Sequence, residues 1–127
     1  MKDTIEAQNY LADTYAIIEI IKGNPNYKPF INSRLFTTKF NLTELYYSLL
    51  RDFNEVIAEH YFQIYSKLLI PVSFNCIRNA MKFKLLHYKE KLSYTDCIGH
   101  ALAAEQSIQF LTGDQKFEKK LNVEFVK

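Results

Sequence analysis

The stretch from Tyr10 to Gly23 constrains the fold more than any other part of this chain. A short apolar run, Tyr10-Leu11-Ala12, ends abruptly at the acid Asp13. Ile17, Ile18, Ile20 and Ile21 then recur at helical spacing, and Gly23 with Pro25 stops the pattern. Buried strand, carboxylate and helix in that order put Asp13 at the C-terminal end of a strand. In open α/β sheets that edge is where ligands and catalytic groups collect.

The rest of the chain repeats the theme. The spacing predicts a helix over residues 14–22 and a two-proline turn over 24–29. A short helix is expected over 30–34 and strand-like residues over 35–38. Asn41-Leu42-Thr43-Glu44 carries a capping-box signature ahead of an apolar stripe of Leu42, Leu45, Tyr46, Leu49, Leu50 and Phe53. A second helical pattern covers 55–69. Pro71-Val72-Ser73-Phe74 reads as a short strand with its proline in the tolerated first position. The helix expected over 76–88 has Ile77, Met81, Leu85 and Tyr88 as its inward face. Ser93-Tyr94-Thr95-Asp96 is a second capping box, opening a helix over 95–106. Residues 108–112 read as a strand broken by Gly113-Asp114, then one helical turn over 116–120 and a last edge strand over 123–126.

Strands separated by helices, with no tight hairpin signal, require crossover connections and a parallel sheet. The expectation is a three-layer α/β/α sandwich around four or five strands. A length of 127 residues fits one domain, 1–127, and hydrophobic content of 48% supplies a core for it. The formal net charge of +2 demands no nucleic-acid partner by itself, although a local basic patch would still contact phosphate. Cys76 and Cys97 match no metal or redox spacing and read as two buried thiols. No apolar run approaches the ~20 residues of a membrane span, so a soluble, cytoplasmic protein without a membrane partner is expected.

Four acids stand at junctions of this pattern: Asp13, Glu44, Asp96 and Asp114. Taken singly, each has helix capping as its simpler explanation, worth ~1 kcal/mol apiece. Taken together they would gather at one sheet edge. Carboxylates that close repel one another unless a cation neutralises them. An all-oxygen set of this kind suits Mg²⁺ or Mn²⁺.

Leu11-Ala12-Asp13-Thr14, Asn41-Leu42-Thr43-Glu44-Leu45, Leu92-Ser93-Tyr94-Thr95-Asp96 and Leu111-Thr112-Gly113-Asp114-Gln115-Lys116-Phe117 resemble the successive blocks of a PIN domain. The similarity is greatest to ribonuclease toxins of the VapC type. No single block is specific; their order and joint presence are. The resemblance implies metal-dependent hydrolysis of RNA phosphodiester bonds by Asp13, Glu44, Asp96 and Asp114, with Thr14 and Thr112 in support. It also implies a homodimer restrained by a small antitoxin protein. One departure is Lys116, where family members often carry another acid, and it bears on the number of metals. A stand-alone RNA-processing nuclease of this fold, and a non-catalytic binding or scaffolding module whose acids only cap helices, are the alternatives.

For phosphate contacts the candidates are Lys116, Lys119 and Lys120 near Asp114, and Arg78 and Lys82 in the densest basic run. His100 stands one helical turn beyond Asp96, and packing is its simpler role. Tyr46, Tyr47, Tyr61, Phe62 and Tyr65 would stack on bases, or form core or a dimer contact.

Overall fold

A computed structural model describes residues 8–127. Its sheet has four parallel strands in the order β2-β1-β3-β4. These are β1 (Asn9–Ala12), β2 (Arg34–Phe36), β3 (Gln109–Thr112) and β4 (Val123–Phe125). Five helices accompany them: α1 (Thr14–Lys22), α2 (Lys39–Asp52), α3 (Glu55–Tyr65), α4 (Phe74–Leu86) and α5 (Tyr94–Glu105).

The period-2 alternation of the central strands sorts the core into two halves. Tyr10, Ala12 and Leu111 face a cluster built with Ala16 and Ile17 of α1, Leu42, Leu45 and Leu49 of α2, and Ala58 of α3. Leu11 and Phe110, paired across β1 and β3, face the opposite cluster of Cys76, Ala80, Cys97, Ile98, Leu102 and Ala103 from α4 and α5. The result is the three-layer sandwich that the alternating pattern requires. Gly99 permits the closest approach of α5 to the sheet: a Cβ there would lie 2.8 Å from the Phe110 ring and 3.3 Å from Leu11. Both cysteines are buried free thiols. Among the described residues no helix is long and apolar enough to cross a membrane.

Several local expectations are overturned. The Pro71-Val72-Ser73-Phe74 segment is not a strand, because Ser73 caps α4 by accepting from the Cys76 N–H at 3.0 Å. Only an isolated bridge between Thr37 and Leu69 lies nearby. The inward face of α4 is set by Cys76 and Ala80, whereas Leu85 and Tyr88 are 73% and 64% exposed. Small residues let α4 approach α5, which bulky ones would have held off. No helix covers 30–34: a 3₁₀ segment runs over Pro25–Phe30, and β2 begins at Arg34. The helix predicted over 55–69 ends as α at Tyr65 and continues as a 3₁₀ turn over Ser66–Leu68.

The proposed capping box at Asn41 is also displaced. Thr38 is the N-cap of α2, its Oγ1 accepting from the Asn41 N–H at 3.1 Å. Asn41 is therefore a buried first-turn residue, and Glu44 lies a turn further on.

Candidate active site

The sheet order reverses between β1 and β3, since β1 leads outward to β2 and β3 outward to β4. A crevice opens at such a reversal, outside the carboxyl ends of the strands. Asp13 stands at its mouth on one side and Asp114 on the other. A cavity of about 490 Å³ there is lined by Asp13, Thr14, Tyr15, Glu44, Ser93, Asp96, Gly113, Asp114, Gln115, Lys116 and Lys127. All four acids singled out by the sequence thus line one cavity, brought from four separate segments.

Each acid is fixed by local structure. Asp13 follows β1 and caps α1: its backbone N–H donates to the Leu111 carbonyl at 3.1 Å, and its Oδ1 accepts from the Ala16 N–H at 2.8 Å. Its Oδ2 accepts the Thr112 hydroxyl in a short hydrogen bond. The same hydroxyl oxygen accepts from the Asp114 N–H at 3.0 Å, so Thr112 couples the two acids across the crevice. Asp114 Oδ1 in turn accepts from the Lys116 N–H at 3.0 Å. Asp96 lies in the first turn of α5, its N–H capped by Ser93 Oγ at 3.1 Å. Capping and gathering therefore coincide for Asp13 and Asp114, whereas Asp96 is held at the cavity by the cap that Ser93 supplies.

Glu44 is different, for no cap depends on it. Its Oε1 accepts the Thr14 hydroxyl at 2.7 Å. Behind Thr14, Asn41 Nδ2 donates to Thr14 Oγ1 at 3.2 Å, and Asn41 Oδ1 accepts the Thr38 hydroxyl at 2.6 Å. Thr38 and Asn41 are fully buried. This chain of polar side chains ties the start of α2 to the start of α1.

Burial resists ionisation of the acids at this site. Burial pushes the Asp13 carboxyl up to about 8, opposed by the Thr112 and Ala16 hydrogen bonds and reinforced by Asp96 and Asp114. Burial likewise raises Asp96 to about 6; Ser93 opposes the shift, and the Asp114 and Glu44 charges add to it. Among the described residues none of the four acids is in an ion pair. Four carboxylates without an ion-pair partner are the donor chemistry that a hard divalent cation satisfies. Among the described residues no three Asp, Glu, His or Cys side chains stand close enough together to hold a metal ion as they are placed.

The basic candidates separate. Lys116 lines the cavity, its Nζ donating to the Lys91 carbonyl at 3.2 Å. Lys120 is committed elsewhere, paired with Glu90 at 2.7 Å beside the Phe83 and Phe117 rings. Lys119 is exposed, and so are Arg78 and Lys82 on α4; none of them lines the cavity. His100 packs among Phe83, Phe110 and Phe117, with Nε2 2.8 Å from the Leu121 carbonyl oxygen, and it does not line the cavity. Tyr46 and Phe62 stack edge to face beside the core, Tyr65 is buried, and Tyr47 is exposed.

Sequence reasoning missed Tyr15, Gln115 and Lys127 as lining residues, and Asn41 as a support for Glu44. A Cβ on Gly113 would lie 2.0 Å from the Tyr15 ring, so this glycine seats Tyr15 against the crevice. Its position directly before Asp114 was the one signal available.

A comparison with curated proteins found no match. Solved structures do match. Mycobacterium tuberculosis VapC20, described as a Sarcin-Ricin loop cleaving toxin, superposes with a TM-score of 0.76 at 17% identity, over 93% of this chain and 99% of that one. VapBC from Salmonella typhimurium, bound to DNA, gives 0.72 at 14% identity, over 93% of this chain and 96% of that one. VapBC2 from Rickettsia felis, bound to a DNA fragment from its promoter, gives 0.71 at 17% identity, over 94% and 100%. At such identities the likeness is one of fold. A family model described as the PIN domain matches residues 10–121. With that match covering most of the chain, the protein belongs to the PIN-domain family.

Proposed function

We propose that the protein is a divalent-metal-dependent endoribonuclease and the toxin of a toxin–antitoxin pair. The observation that carries the reading is the convergence of Asp13, Glu44, Asp96 and Asp114 on one cavity at the reversal of the sheet order. Membership of the family supports the nuclease class. The toxin role draws support from the toxin–antitoxin complexes among the structural neighbours.

In this reading Asp13, Asp96, Asp114 and Glu44 hold Mg²⁺ or Mn²⁺. What such an ion supplies is a more acidic water and positive charge against the attacked phosphate. The protein's own groups do the positioning. Thr112 fixes the Asp13 carboxylate through Oδ2 and holds the Asp114 backbone. Thr14 fixes Glu44, which leaves one of its carboxylate oxygens free for the cation or its water. The N-termini of α1 and α5, where Asp13 and Asp96 stand, favour the anionic substrate at the same edge. Lys116 offers an ammonium group to phosphate on the rim.

The test is cleavage of a panel of tRNA, rRNA fragments and unstructured RNA by purified protein with Mg²⁺, Mn²⁺ or EDTA. Cutting that needs the metal and disappears in a folded Asp13→Asn variant is the expected result. Well-folded protein that cuts nothing in any metal would favour a binding module instead. For the toxin role, induced expression should arrest growth, and Asp13→Asn should relieve the arrest. The proposed homodimer is checked by sedimentation; exposed Val56 and Ile64 of α3 supply apolar surface for it.

A further inference from the structure

We propose that Lys127 is a substrate-binding residue, contacting an RNA phosphate on the rim of the acidic cavity. The inference rests on the nuclease reading above and adds a residue to it.

Three hydrogen bonds fasten the backbone that carries this side chain. Beyond β4, the Val126 N–H donates to the Thr112 carbonyl at 2.9 Å, extending the strand pairing toward the crevice. The buried Tyr27 hydroxyl donates to the Val126 carbonyl at 2.5 Å. Asn26 Nδ2 donates to the Lys127 carbonyl at 3.0 Å. Residues 101 and 99 positions apart thus converge on one short segment, and its side chain falls at the cavity.

The ammonium group is seated as well. Lys127 Nζ lies 3.4 Å from the Gly113 carbonyl oxygen and 5.7 Å from the centroid of the Tyr15 ring. Gly113 and Tyr15 are themselves walls of the cavity, adjacent in sequence to Asp114 and near Asp13. Among the described residues Lys127 makes no ion pair with a carboxylate. A cation beside an acidic cavity that contacts a carbonyl dipole and an aromatic face, with no carboxylate at salt-bridge distance, keeps its charge available to an incoming anion.

The need for such a group is electrostatic. A phosphodiester approaching four carboxylates is repelled outside the immediate range of a bound cation. Among the described residues Lys116 and Lys127 are the lysines lining the cavity. Of the basic residues near β4, Lys120 is already paired with Glu90. Lys127 is therefore better placed to bind a phosphate than the exposed Arg78 and Lys82 of α4.

The test compares wild type, Lys127→Met, Lys127→Arg and the control Arg78→Ala/Lys82→Ala. Binding of a short fluorescent single-stranded RNA is followed against salt in Ca²⁺, and cleavage is followed in Mn²⁺. Lys127→Met should raise KM roughly three- to tenfold with kcat little changed. It should also reduce the slope of log affinity against log salt by about 0.7, the value for one lost phosphate contact on a single strand. Lys127→Arg should restore both, and the α4 control should move neither. A merely structural role would lower the melting temperature without altering the slope. An unchanged slope and KM in Lys127→Met, with wild type binding and cutting RNA, overturns the inference and leaves the nuclease standing. A wild type that neither binds nor cuts RNA overturns both.

Discussion

The Thr14 hydroxyl donates to Glu44 Oε1 at 2.7 Å, joining residues 30 positions apart and fixing a site acid that caps no helix. Removing that hydroxyl with Thr14→Val keeps the side-chain volume and releases Glu44. Metal affinity or kcat should fall ~10-fold, in the range expected for groups that orient ligands. Asn41→Ala, which strips the support behind Thr14, should cause a similar loss and in addition cost ~1–3 kcal/mol of stability, because it leaves the buried Thr38 hydroxyl proton without its acceptor. Denaturant midpoints and metal titrations measured on both variants separate the two effects.

The same geometry distinguishes a residue that caps a helix from an acid that caps none. Ser93→Ala removes the side chain that accepts from the Asp96 N–H and should cost ~1 kcal/mol of folding stability. Glu44→Ala should leave stability nearly unchanged and abolish activity. If Glu44→Ala destabilises the protein as much as Ser93→Ala does, Glu44 is structural after all.

Gly113 admits the Tyr15 ring, with 2.0 Å between that ring and a hypothetical Cβ. Gly113→Ala should displace Tyr15 and destabilise the fold by ~1–3 kcal/mol, the usual cost of overpacking. Tyr15→Leu in the same chain should recover part of the loss. Thermal melts of the two single variants and the double variant give the coupling.

The buried acids also set a pH dependence of stability in metal-free protein. Asp13 titrates at about 8 in the folded state, against 3.8 ordinarily, so between those values the folded protein holds a proton that the unfolded chain has released. Stability then falls as pH rises, by at most ~1.4 kcal/mol per pH unit for one group. Asp96, raised to about 6, acts in the same direction at lower pH. His100, depressed by burial below 6.5, acts oppositely there, because the unfolded imidazole takes up a proton that the folded one refuses. The Asp13 effect is therefore cleanest between about 6.5 and 8. Urea midpoints of wild type should decline over that window, and those of Asp13→Asn should be flat. A flat wild-type profile contradicts the burial of an uncompensated carboxyl.

Much of this was legible in the chain. The strand–acid–helix order at Asp13 located β1, α1 and the sheet edge, and α1 occupies the predicted residues 14–22. The strand before Gly113-Asp114 and the cap at Ser93 followed from local chemistry in the same way. What failed depended on tertiary contacts. Asn41 looked like a cap because its side chain suits one, whereas Thr38, three residues earlier, holds the position and leaves Asn41 to bond Thr14. The inward face of α4 was assigned to its large apolar residues, yet close packing on α5 selected Cys76 and Ala80. Lys127 carried no local signal, because it reaches the cavity only through pairing of distant segments.

The claim that four carboxylates from distant segments act as one cation site is tested most directly by calorimetric titration with Mn²⁺. Wild type should bind with proton release that grows as the buffer is made more acidic toward pH 6.5, since Asp13 and Asp96 must ionise. Asp13→Asn, Asp96→Asn and Asp114→Asn should each weaken binding by at least ~10-fold while melting cooperatively. Folded wild type that takes up no Mn²⁺, or three variants that bind it as tightly as wild type does, would contradict the account.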